Sequence, residues 1–151
     1  MPQLGQKAID NYLKDFNYGN KDFSGGLDKA WVSSTLKISG YEQLEFLRNF
    51  WTGKLAVSKK AHDLAKGALF IKKYPGGGLL YGKTGTGCLQ GTSCMSQPDK
   101  MLGWFVGYVV NGSSTYAFAA NSADLQPEKE PAGPRMRNTV ISLLEHMKLL
   151  N

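Results

Sequence analysis

Residues 83–86, Lys-Thr-Gly-Thr, bring together four groups suited to handling an anionic acyl compound. Lys83 carries a point positive charge, and the Thr84 hydroxyl can hydrogen-bond a carboxylate. Gly85 has no Cβ, so another backbone can approach it closely. The backbone N–H of Thr86 can then face a developing oxyanion. This set stabilises charge but holds no strong nucleophile, so the chemistry needs a partner elsewhere.

Ser34-Thr35-Leu36-Lys37 has the Ser-x-x-Lys spacing in which a serine attacks with a lysine beside it. His62 has no second ligand nearby and reads as an ordinary surface or half-buried histidine, His146 reads as solvated, and no metal site is expected. Cys88 and Cys94, with Gly91 between them, are close enough to be bridged or to stand as two thiols in a mobile loop.

These residues sit in a chain of 151 residues that is 42% hydrophobic and 20% charged, the composition of one globular domain. Its formal charge of +6 admits nucleic acid, anionic membranes or acidic small molecules as partners. The basic residues are spread along the chain, which argues against a nucleic-acid patch, and no stretch reaches transmembrane length. Met1-Pro2-Gln3 does not open a signal peptide.

Helical spacing of Ile9, Leu13 and Phe16 predicts a helix over 4–16, closed by the turn Asn17-Tyr18-Gly19-Asn20. A glycine-bearing loop follows and ends at Trp31, whose indole offers an apolar wall and one donor. Ser39 and Glu42 form a capping box for a helix with Leu44, Leu47, Phe50 and Trp51 on one stripe. Another helix is expected from Ser58 toward Ile71, ending before Pro75-Gly76-Gly77-Gly78. Alternation predicts strands at about 79–84, 102–110 and 114–121, with Asn111-Gly112 as a hairpin turn between the last two. Residues 122–134 read as a polar connection, and 135–149 as a helix with Val140, Leu143, Leu144 and Met147 on its apolar side.

Taken together, several segments in order resemble the C-terminal part of a class D β-lactamase (oxacillinase), or of a penicillin-sensing domain of that fold. They are Tyr18-Gly19-Asn20, the Asp-Phe-Ser-Gly-Gly run at 22–26, Trp31, Leu36-Lys37-Ile38-Ser39, Lys83-Thr84-Gly85 and Gly103-Trp104-Phe105-Val106-Gly107. The resemblance implies an α/β (α+β) fold, with an antiparallel sheet backed by a C-terminal helix and a helical region over 4–73. The whole of 1–151 would then be a partial domain whose first strands lie upstream. It also implies roles. Lys83 supports proton traffic, Thr84, Gly85, Thr86 and Arg137 bind the substrate, with Arg135 two residues away as the other match for the arginine whose planar fork grips the carboxylate, and Tyr18, Gly19 and Asn20 border the cleft. Trp31 would hold the carboxylated lysine that serves the family as general base; that CO2-derived carbamate would form on a lysine absent from this chain, and no other cofactor is implied.

In the family, Ser-x-x-Lys and Ser-x-Val both precede Tyr-Gly-Asn, yet only 17 residues precede Tyr18 here and none is serine. Ser34–Lys37 follows the family tryptophan instead, so it is expected to carry no catalytic duty. The order of elements gives its lysine no support for a place near Trp31 and Lys83. The expected function is β-lactam binding and hydrolysis, with a nucleophile from outside this chain; a non-hydrolytic sensor or an inactive fragment is the alternative. The expected partners are a β-lactam and either a complementary N-terminal chain or a second copy, with neither nucleic acid nor membrane. The resemblance also implies a periplasmic setting.

Overall fold

The computed structural model describes residues 4–32, 35–89 and 101–150. Its elements run α1 (Gln6–Asp15), α2 (Gly40–Trp51), α3 (Lys59–Ala68), β1 (Phe70–Lys73), β2 (Leu79–Cys88), β3 (Met101–Asn111), β4 (Ser114–Ala123) and α4 (Ala132–His146). The strands form one antiparallel sheet in the order β1-β2-β3-β4.

The centre of the sheet is β3, and strand alternation gives it two apolar faces. Phe105 and Val109, both fully buried, point toward α4 together with Leu80, Phe118 and Ala120. On α4 the matching stripe is Met136, Val140, Ile141 and Leu144, the spacing of one helical face. On the opposite face Tyr108 and Val106 pack with Leu47, Phe50 and Trp51 of α2, and the Tyr108 hydroxyl donates to the Leu47 carbonyl. A smaller cluster of Ile9, Leu13, Phe23 and Ala30 holds α1 against the loop that follows it. Phe46 of α2 meets Phe16 and Tyr18, which joins that cluster to the rest.

Local chemistry accounts for most boundaries. The Ser39 side chain accepts from the Glu42 N–H while the Glu42 carboxylate accepts from the Ser39 N–H, a complete capping box that starts α2. The Ser58 hydroxyl caps α3 in the same manner. The hairpin turn is Gly112-Ser113, because Asn111 still pairs with Ser114, and Gly112 supplies the positive φ of 58° that the first turn position needs.

Three sequence expectations are corrected. The helix from Ser58 stops at Ala68, and residues 70–73 form β1 instead, since Phe70-Ile71-Lys72-Lys73 pairs with the start of β2. The strand carrying Lys83 extends to Cys88, because β3 pairs with it throughout. Helix α4 begins at Ala132, three residues early; Pro134 falls in its first turn, where a missing N–H costs no helical hydrogen bond. Cys88 is buried and disulfide-bonded; Cys94 lies outside the described residues.

Candidate functional site

Strand β2 positions the Lys-Thr-Gly-Thr quartet at a sheet edge. β1 pairs only with Leu79–Tyr81, and its reach ends where the Gly82 N–H donates to the Leu69 carbonyl at 2.8 Å. The β2–β3 register then runs unbroken from Leu79↔Val110 to Cys88↔Met101. Backbone polar groups alternate sides along a strand. Since Gly82 points to the β1 side, the N–H and C=O of Thr84 and Thr86 point the same way, onto an edge to which no described strand is added. The Thr86 N–H therefore points outward, two residues before β2 ends at Cys88.

The side chains alternate as well. Lys83 lies on the face of Val106 and Trp104, and its ammonium donates to the neighbouring Thr84 carbonyl. Thr84 and Thr86 lie on the α4 side, where the Thr86 hydroxyl accepts from the Gly133 N–H at 2.9 Å. That contact depends on missing side chains. A Cβ on Gly133 would meet the Gly85 carbonyl oxygen at 2.6 Å, and one on Gly103 would meet the Ala132 oxygen at 2.4 Å. Small residues thus let the first turn of α4 sit directly against the quartet.

Arg135 and Arg137 leave that first turn with different fates. Arg135 pairs with the buried carboxylate of Asp124 and also donates to the Glu130 carbonyl. The Asp124 hydrogen bond, aided by its charge, pushes the Arg135 guanidinium pKa up. Arg137 is half-buried one turn beyond Gly133 and makes no hydrogen bond or ion pair among the described residues.

Facing β2 is a cleft of about 970 Å³. Its far wall carries Tyr18, Trp31, Lys37 and Gln43; its near wall carries Lys83 to Cys88 with Trp104. Trp31 is 44% exposed and stacks on Phe23 with ring centroids 5.7 Å apart. The Tyr18 hydroxyl donates to Gln43 Oε1 at 2.9 Å, and burial raises the Tyr18 pKa. Of the expected site residues, the cleft therefore gathers Tyr18, Trp31, Lys83, Thr84, Gly85 and Thr86, while Arg137 stands behind the strand.

Gly19 and Asn20 do not line the cleft but build its wall. Gly19 has a φ of 52°, and a Cβ there would lie 2.1 Å from the Lys37 carbonyl oxygen. Asn20 donates from its backbone to that same oxygen at 2.9 Å and accepts the Lys37 N–H at 2.9 Å. Its amide also donates to the Thr35 carbonyl at 2.8 Å. The pair is a clip that ties residues 35–37 to the end of α1. Through that clip Lys37 borders the same cleft as Trp31 and Lys83, contrary to the expectation from element order, although it remains exposed. Ser34 lies outside the described residues.

Gln43 is the residue that sequence reasoning passed over as a site residue. It is buried, and its signal was available: a polar residue at i relative to Leu47 and Phe50 at i+4 and i+7 breaks the apolar stripe of α2.

Comparison with known proteins identifies the family. Residues 2–141 match the family model described as the penicillin binding protein transpeptidase domain. β-Lactamase OXA-19 of Pseudomonas aeruginosa is 38% identical over 119 residues, covering 79% of this chain and 42% of that protein. Among solved structures, FUS-1 (OXA-85), a class D β-lactamase from Fusobacterium nucleatum subsp. polymorphum, superposes with a TM-score of 0.83 at 27% identity, over 99% of this chain and 57% of that one. The C-terminal domain of the Bacillus licheniformis BlaR penicillin receptor gives a TM-score of 0.84 at 26% identity, over 99% and 56%. The chain thus spans about half the length of the relatives it matches. By its residues, its sheet and these matches, the chain belongs to the penicillin-binding protein transpeptidase domain family, with class D β-lactamases and the BlaR penicillin receptor among its relatives.

Proposed function

We propose that this chain forms the strand-side half of a β-lactam site, working by a serine acyl-enzyme whose nucleophile lies outside these residues. The observation that supports the reading is the outer edge of β2 at Thr84 and Thr86, to which no described strand is added, with Lys83 beside it and a cleft of about 970 Å³ in front. An amide of the ligand lies along that edge as an added strand. The Thr86 N–H donates to the β-lactam carbonyl oxygen as it gains charge, and the preset donor stabilises the tetrahedral species. Lys83 favours the deprotonated form of a nearby attacking hydroxyl and relays its proton. The ligand carboxylate sits at the α4 side of the edge, within the field of Thr84 and Arg137. Trp31 is the residue here that would hold a lysine carbamate through its indole N–H; that group supplies a general base for deacylation.

A second reading is a sensor, favoured by the fit to the BlaR receptor domain, in which the same cleft holds the acyl group without releasing it. The site would work in the periplasm, next to a complementary segment or a second copy. Mixing this chain with a separately made segment of a class D relative that carries Ser-x-x-Lys, then adding a chromogenic cephalosporin, tests the proposal. Turnover supports the hydrolase, one stoichiometric adduct supports the sensor, and neither product overturns both. Alone, the chain should give no turnover and no adduct; an adduct on Ser34 would return the nucleophile to this sequence.

A further inference from the structure

The basic residues are spread along the chain, but its net charge is not, because acidic residues are scarce in one stretch. Between Lys54 and Lys73 stand six lysines against one acidic residue, Asp63, so this stretch holds +5 of the formal +6; the remainder has twelve basic and eleven acidic residues. It holds the turn after α2 and then α3 and β1, which follow one another with only Leu69 between them. Leu69 packs inward against the cluster around Tyr108, and His62 and Lys66 also face the body of the protein. His62 Nε2 donates to the Phe50 carbonyl at 2.7 Å, and the Lys66 ammonium sits 3.5 Å over the Trp51 ring. The opposite side of α3 therefore looks outward, and α3 buries none of its residues.

Apolar side chains stand exposed among those lysines. Leu64 is 65% exposed, Phe70 48% and Ile71 40%. Lys59 is paired with Asp63 at 2.5 Å, which leaves Lys54, Lys60 and Lys73 with no ion pair among the described residues. This combination fits one partner better than others. Nucleic acid sites favour arginine forks that read phosphates and bases at two points, and this stretch contains no arginine. Dispersed lysines suit the smeared negative potential of a lipid surface, while Leu64 and Ile71 can enter the headgroup layer, with Phe70 resting edge-on against Tyr81 beside them.

Against the expectation of no membrane partner, we propose that the α3–β1 surface is a docking face for an anionic membrane, holding the protein peripherally with the cleft free. No described helix is long and apolar enough to cross a bilayer, and the contact proposed is with one leaflet. The inference is independent of the β-lactam reading.

Sedimentation with vesicles tests it. Vesicles about one-third phosphatidylglycerol should pull down the chain, and pure phosphatidylcholine vesicles should not. Raising salt from about 0.05 to 0.5 M should weaken binding tenfold or more. Lys60→Glu with Lys73→Glu should lower binding about tenfold, whereas Lys7→Glu with Lys148→Glu, of equal net charge, should change it less than twofold. Leu64→Ser should shift binding a few-fold at fixed charge. Equal loss from both lysine pairs would show a net-charge effect only and overturn the assignment. Failure to bind phosphatidylglycerol vesicles would also overturn it, as would tighter binding to a DNA duplex at matched salt.

Discussion

Two arginines two positions apart show how one residue's surroundings decide its role. Arg135 is held by Asp124, which is only 8% exposed, so this pair locks the connection before α4 to the helix itself. Arg137 has no such partner among the described residues. Arg137→Ala should therefore weaken binding of an anionic β-lactam by roughly tenfold and leave the melting temperature nearly unchanged. Arg135→Ala should do the reverse, lowering the melting temperature; equal effects of the two on binding would contradict the distinction. Three exposed carboxylates give the fold a pH signature. Asp22 is held below its ordinary range chiefly by the Ser24 hydroxyl, Glu42 by the Ser39 N–H and Asp63 by Lys59. Each binds a proton more readily in the unfolded chain, so stability is complete above the ordinary carboxylate range near pH ~4 and declines as the pH falls below it. Urea midpoints taken at neutral and acid pH check this, and a midpoint that rose with acid would contradict it.

At the level of elements, what could be read from sequence followed what is local. The capping box at Ser39 and Glu42, the helical stripe of Leu47 and Phe50, and the alternation in 102–110 are all short-range signals, and each marks an element in the structure. β1 was not legible, because Phe70-Ile71-Lys72-Lys73 continues a helical pattern and becomes a strand only by pairing with Leu79–Tyr81. The quartet at 83–86 was legible as chemistry, but its outward edge was not, since that depends on where β1 stops. The close seat of α4 was likewise invisible: it rests on Gly133 and Gly103 meeting backbone from other elements. Gly133→Ala should therefore push the first turn of α4 off β2, costing about 1–3 kcal/mol from overpacking and moving Arg137 with it. Denaturation and carboxylate binding should both suffer. A variant as stable as the parent with unaltered binding would show that the seat does not matter.

For the molecule as a whole, the sheet has a second open edge. Register with β3 turns the backbone of Ala117, Ala119 and Asn121 outward from β4, and no described residue pairs with them. The strand is ten residues long with neither charge nor proline, which are the features that blunt an edge. Self-association that rises with concentration is the expected outcome in sedimentation velocity. A monomer whose 114–123 amides resist exchange would show that the edge is covered from within the chain. The central claim remains the β-lactam site on β2, and amide chemical shifts read it most directly. Titrating benzylpenicillin into isotope-labelled protein should shift the backbone N–H of Thr84 and Thr86 and the indole N–H of Trp31, and Lys83→Ala should abolish those shifts without disturbing the remaining spectrum. Saturable shifts centred on other residues, or none at the quartet at millimolar ligand, would contradict the account.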